Sequence, residues 1–248
     1  QALLRARDAD ATGASLTCGG SSYRILQDLG SGEHSTVHLA RRMGPLPMLV
    51  TLKLSSSPSG AESHTREAAI ARELQGTDPG GSGAFFSRLL PEVVGIGMVD
   101  GNQRHALILR NPTGYWGSLG ALADRFPGGL DPRHTVWIWR RILALLGFIH
   151  GHGWAHGDVR PEHALVHAPS HGVRLIGWET ARRGSNPAEQ AADLQHSARV
   201  IRVLLSTADG RLPSQAPGGL VQLVDRASDD PDFFVSKVRQ GSTNCFGT

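Results

Sequence analysis

The chain has 248 residues, 40% of them hydrophobic, and its 25 Lys and Arg against 22 Asp and Glu leave a formal net charge of +3. That length suits one large domain or two lobes around real cores, and a charge so small and so dispersed calls for neither nucleic acid nor a membrane surface. Two cysteines near opposite ends, Cys18 and Cys245, argue against a disulfide framework and for a reducing, cytoplasmic setting. No apolar run reaches the roughly 18 residues of a transmembrane helix. No secretory leader is legible, and an opening Gln1 in place of Met leaves room for residues before it.

Residues 1–20 are polar and small, as expected of an arm or a loose first strand. YRILQDL, TVHLARR and MLVTLKL then alternate apolar and polar residues, separated by GSGEHS and GPLP, and predict three strands between Tyr23 and Leu54. SSSPSGAE reads as a loop. SHTREAAIARELQ, residues 63–75, predicts a helix with Glu67, Ile70 and Leu74 on one face. After the flexible GTDPGGSG come two more expected strands, PEVVGIGMVD and RHALILR. RNPTGYWG, from Arg110 to Gly117, should separate two lobes.

Beyond it the pattern is mostly helical. SLGALADRF predicts a short helix, and TVWIWRRILALLGFIHGHG a long one with Ile138, Ile142, Leu145 and Ile149 as its buried stripe. Short strands are expected around Leu165 and Leu175. A helix over 193–206 should bury Leu194, Ala198, Ile201 and Leu205. LPSQAPGG breaks the chain before two weaker helices, near 219–228 and 231–239. The fold class is therefore α+β, with a β-rich first part holding one main helix and a helical second part.

Three features carry chemistry in the first part. LGSGEHSTV, residues 29–37, is a Gly-rich turn whose Gly30 and Gly32 let backbone approach a phosphate, although a plain hairpin has the same look. VTLK ends a strand on Lys53, a cation able to neutralise phosphate. Glu67 on the following helix could pair with it and fix its direction. Each is weak alone; their order and spacing are not.

That order resembles the protein kinase superfamily over roughly residues 23–205. The resemblance implies a two-lobed kinase-like fold: an arm over 1–20, an N-lobe over 21–110, a hinge over 111–117 and a reduced C-lobe over 118–248. It implies Gly30, Gly32 and Val37 over the nucleotide, Thr51 with Val37 as the roof of the base pocket and Leu165 as its floor. Lys53 would meet the phosphates with Glu67 as its partner. In HGDVRPEH, Asp158 takes the catalytic-base position and Arg160 the γ-phosphate contact. His156 and Asp193, the latter opening the next helix, would brace the loop. His-Gly-Asp and Trp178 also look like the aminoglycoside and choline phosphotransferase branch.

Two departures concern the cation. Where the superfamily has an Asn ligand of Mg²⁺ this chain has His163, and where it has a metal-binding Asp this chain has Gly177. Mg²⁺ wants oxygen ligands in tight geometry; imidazole offers nitrogen and glycine offers nothing. Phosphoryl transfer rests on positioning and charge neutralisation, so the loss of both should remove most of the rate. Glu179 is the candidate to rescue the site, but in an extended stretch it would lie about 6–7 Å along the chain from Gly177. The short RRGSNPAEQAA tether leaves no room for a long activation segment.

The expectation is a pseudokinase-like regulator or scaffold with protein partners, binding ATP weakly or without metal, with no Mg²⁺. The alternatives are an active atypical kinase acting on protein Ser/Thr or a small molecule, and a structural subunit with a closed pocket. The histidine cluster His150, His152, His156 and His163 is expected to cap and brace rather than bind zinc. No Gly-x-Ser-x-Gly elbow is present. Oligomeric state is not legible.

Overall fold

The computed structural model describes residues 13–32, 34–101, 103–212, 216–230 and 232–234. The first part of the expected arm, Cys245, the centre of the LPSQAPGG breaker and most of the helix expected over 231–239 lie outside them. The chain divides into two compact units. One comprises the residues up to Gly76 together with Pro91–Thr113; the other comprises Thr77–Leu90 and the residues from Gly114 onward. The division at Thr113/Gly114 falls inside the expected 111–117 segment, but Thr77–Leu90 belongs with the second unit.

The first unit is a six-stranded antiparallel sheet with one helix. Its strands are β1 (Ser15–Cys18), β2 (Ser21–Ser31), β3 (Thr36–Arg42), β4 (Met48–Ser55), β5 (Val93–Met98) and β6 (His105–Arg110), in the order β1-β2-β3-β4-β6-β5. The sheet curls: a bridge between Cys18 and Val99, with the Asp100 N–H donating to Thr17 O at 2.7 Å, links its two edges. Val50, Leu52 and Leu54 share one face with Tyr23, Ala40, Ala106 and Ile108, and this face forms the larger apolar cluster. Alternation sends the odd-numbered residues of β4 to the other face.

Helix α1 (Pro58–Gln75) packs there, with Ala68 against Leu107 and Leu109. It begins five residues before the expected start, inside what reads as a loop. Ser57 caps it, its hydroxyl accepting from the Gly60 N–H at 3.1 Å, and Pro58 takes the first helical position, where a missing N–H costs nothing. Gly60 is required for close packing, because a Cβ there would lie 2.7 Å from His34 O.

The second unit is mainly helical. It contains the short α2 (Gly83–Phe86), β7 (Gly117–Ser118), α3 (Leu119–Arg125), α4 (Pro132–Gly151), β8 (Trp154–Ala155), β9 (Ala164–His167), β10 (Gly172–Leu175), β11 (Arg182–Arg183), α5 (Pro187–Leu205) and α6 (Gly218–Asp229). Strands pair as β10-β9-β7 and β11-β8. The stripes Ile138, Ile142, Leu145, Ile149 of α4 and Leu194, Ala198, Ile201, Leu205 of α5 are all buried.

Two expectations change here. Helix α5 starts at Pro187, not near 193, because Asn186 and Glu189 form a reciprocal capping box around Pro187. Half of the RRGSNPAEQAA stretch is therefore helix, not tether. Asp193 then lies in the second turn of α5 rather than at its opening. Among the described residues no helix is long and apolar enough to cross a membrane.

Candidate functional site

In the first unit the strand register gathers the expected residues. Val37 on β3 stands opposite Lys53 on β4, which stands opposite Leu107 on β6; one step of the pleat away, Leu39, Thr51 and Leu109 line up likewise. Directly opposed residues share a face, so Val37, Thr51 and Lys53 all lie on the face that carries α1. There Lys53 Nζ meets Glu67 Oε2 at 2.5 Å, and the Glu67 side chain is 1% exposed against 16% for Lys53. Glu67 reaches the sheet because it belongs to the apolar stripe of α1, with Ala68, Ile70, Ala71 and Leu74. A carboxylate buried this fully is tolerated only with a cation against it.

Gly30 opens the turn with φ 133°, in the region that favours glycine, and its N–H donates to Asp28 Oδ1 at 2.9 Å. Gly32 N–H donates to Ser35 O at 2.8 Å and closes the turn. What anchors this turn was not legible in the residue pattern. Ser35 Oγ lies 2.7 Å from His64 Nε2, and His64 Nδ1 lies 3.2 Å from His105 Nδ1. The available signal was the position of His64, three residues before Glu67 on the same buried face. Thr51 is also engaged: its hydroxyl accepts from Asn111 Nδ2 at 3.2 Å.

In the second unit the stretch 156–181 is built around Asp193. This wholly buried carboxylate accepts from the backbone N–H groups of His156 at 2.7 Å and Gly157 at 2.8 Å, and lies 3.0 Å from His150 Nε2. Burial works to raise its pKa, but the hydrogen bond from His150, the charges around it and the Gly157 N–H prevail and hold it below the usual value. Asp193 thus braces the loop from α5. It stands in the second turn of that helix and not at its opening, and from there its carboxylate reaches the backbone of residues 156 and 157.

His156 is equally buried. The Asp158 N–H donates to its Nδ1 at 3.2 Å, which leaves the proton on Nε2 to donate to Ile176 O at 3.1 Å. Burial pushes its pKa down to about 4, against the opposing pull of Asp193. Its ring meets Trp178 edge-on at 4.5 Å. Gly157, at φ 82°, lets the chain turn under Thr180, whose hydroxyl donates to His156 O at 3.1 Å.

Asp158, Arg160 and His163 form one chain of contacts. His163 Nδ1 lies 3.1 Å from Asp158 Oδ2 and 3.1 Å from Asp158 O. Its Nε2 faces Arg160 Nη2 at 2.9 Å, and Arg160 Nε lies 3.4 Å from Asp158 Oδ2. The imidazole therefore carries its proton on Nδ1 and accepts on Nε2. Burial, opposed by Asp158 and aided by Arg160, lowers its pKa, in keeping with a neutral ring. Leu165 is half-buried on β9, opposite Arg174 on one side and Ser118 on the other.

Gly177 adopts the left-handed conformation, φ 78° and ψ 51°, at the start of the 3₁₀ turn Trp178–Thr180. That turn overturns the extended geometry assumed for Glu179. The spacing of about 6–7 Å along a strand does not apply; Glu179 is half-buried and its charge acts on His163. Among the described residues, no group of three or more His, Cys, Asp or Glu side chains is placed to hold a metal ion. Of the tryptophans, Trp139, Trp154 and Trp178 are core and Trp116 is exposed.

No protein-family model matches the sequence, and no curated protein matches it.

Proposed function

We propose that the protein is a pseudokinase-like regulator or scaffold, with a two-lobed kinase-like fold, that binds ATP through the sheet unit without needing a divalent cation. The observation that carries this is the Lys53–Glu67 pair. A buried carboxylate holding a strand lysine on the face shared with Val37 and Thr51 gives a directed cation beside a glycine turn, which is what a phosphate needs. Glu67 already holds the Lys53 ammonium in place, so little side-chain entropy remains to be lost when an anion arrives. Gly30, Gly32, Val37, Thr51 and Lys53 are the nucleotide residues of this proposal. Asp158 and Arg160 stand in a braced loop of the second unit as a retained but idle catalytic element.

Calorimetric titration with ATP, with and without Mg²⁺ or Mn²⁺, tests it. Binding should occur without metal and weaken by at least about tenfold, roughly 1.4 kcal/mol, in Lys53→Ala. Because that change strands Glu67, the Lys53→Met/Glu67→Gln pair serves as the folded control. Tight binding only with metal would sink the proposal. No binding at all would favour a purely structural subunit.

A second reading has its own observation. Asp158 is kept, its loop is braced by Asp193, and Glu179 is half-buried with its charge acting on His163. An active atypical kinase, acting on protein Ser/Thr or a small molecule, would show transfer of labelled phosphate that disappears in Asp158→Ala.

A further inference from the structure

His163 and Gly177 stand fourteen positions apart, yet they are a single steric unit. A Cβ built on Gly177 would lie 2.5 Å from both Cε1 and Nδ1 of His163, and 2.9 Å from Cγ. These are ring atoms held from both ends, by Asp158 on Nδ1 and Arg160 on Nε2, and Ile176 N–H fixes the His163 backbone at 2.9 Å. The ring cannot step aside as a flexible chain end would. Against it stand oxygen groups of the kind a hard cation uses, the Asp158 carboxylate and carbonyl, both in direct contact.

We infer that the His163 imidazole is a wedge seated on Gly177 that excludes a divalent cation from the carboxylate and carbonyl oxygens of Asp158, Arg160 supplying positive charge beside Asp158 in the cation's place. The side chain of His163 is 12% exposed, so it fills interior space rather than covering it loosely. As a neutral ring with its proton on Nδ1, it satisfies Asp158 by hydrogen bonding, and the Arg160 guanidinium at 3.4 Å balances the charge. Glycine at 177 is then a consequence of the wedge: any side chain there meets the ring. The two residues make one arrangement, and reversing either alone does not reverse the other.

The functional meaning rests on the proposal that this protein handles nucleotide without metal; the test does not, since its probe is Mn²⁺ alone. Mn²⁺ binding is followed by electron paramagnetic resonance on the wild type, His163→Asn, Gly177→Asp and the double variant, with circular dichroism and melting to confirm folding. The wild type and Gly177→Asp should bind no Mn²⁺, and Gly177→Asp should melt at lower temperature than the wild type. His163→Asn, which removes the ring and offers an amide oxygen, should gain binding. The double variant should gain more, binding about tenfold or better more tightly than His163→Asn. Mn²⁺ binding by the wild type, an equal gain in Gly177→Asp alone, or no gain in either folded His163 variant would overturn the inference. If the double variant does not fold, His163→Asn alone decides. Absence of ATP binding would defeat the nucleotide proposal and leave these outcomes unchanged.

Discussion

At the scale of single residues the most consequential group is His156. It is wholly buried, bridges Asp158 N–H to Ile176 O, and is held neutral with a pKa of about 4. In the unfolded chain it titrates near 6.5. Between those values the unfolded chain binds the proton and the folded one does not, so stability rises with pH. The contribution is present in full above about 6.5 and is lost as pH falls toward 4, by up to about 1.4 kcal/mol per unit. Urea unfolding at pH 7.5 and at pH 4.5 should therefore show a decline of about 2–3 kcal/mol traceable to this ring, and His156→Gln should flatten that part of the profile. A profile unchanged by the substitution would mean that other groups carry it. The position was legible from His156-Gly157-Asp158. Its protonation state was not, because burial sets it.

At the scale of elements, both main corrections concern helix starts. Ser57-Pro58 and Asn186-Pro187-Ala188-Glu189 are N-terminal signals written in the sequence: a capping side chain, proline where the N–H is unneeded and, in the second, a glutamate three residues on. Serine, glycine and proline around them also favour turns, and that composition hides the cap. Asn186→Ala removes the acceptor for the N–H groups of Ala188 and Glu189 and should cost about 1 kcal/mol in denaturant unfolding. Ser57→Ala should cost a similar amount. The start of α5 matters for the site as well, because it places Asp193 a turn and a half into the helix, where its carboxylate reaches the backbone of residues 156 and 157.

On the scale of the whole molecule there are two compact units, each with fully buried apolar residues of its own. Leu52 is fully buried in the sheet unit and Ile142 in the helical unit. Leu52→Ala and Ile142→Ala should each destabilise by about 2–5 kcal/mol, the usual cost of an emptied core site. All five tryptophans lie after Gly114. Ile142→Ala is therefore read by tryptophan fluorescence, and Leu52→Ala by far-ultraviolet circular dichroism of the sheet. Shifts in neither would show that these stripes are not the cores. Most strands were legible because alternation is a strict period of two: β3 spans the same seven residues, Thr36–Arg42, that the pattern TVHLARR predicts. Less legible were β7, β8 and β11, two residues each, too short to show any period.

The sequence by itself determined the α+β class, the strand alternation and the apolar stripes of α4 and α5. These are properties of neighbours in the chain, and local geometry expresses them directly. Tertiary structure alone decided which distant groups meet. Ser35 with His64 and His105, His150 with Asp193, and the His163 ring on Gly177 each join residues 14 to 43 positions apart. No periodicity records such contacts, because they depend on how elements pack and not on what each element is. His163 and Gly177 look unrelated when read along the sequence. In space one fills the room that the other leaves.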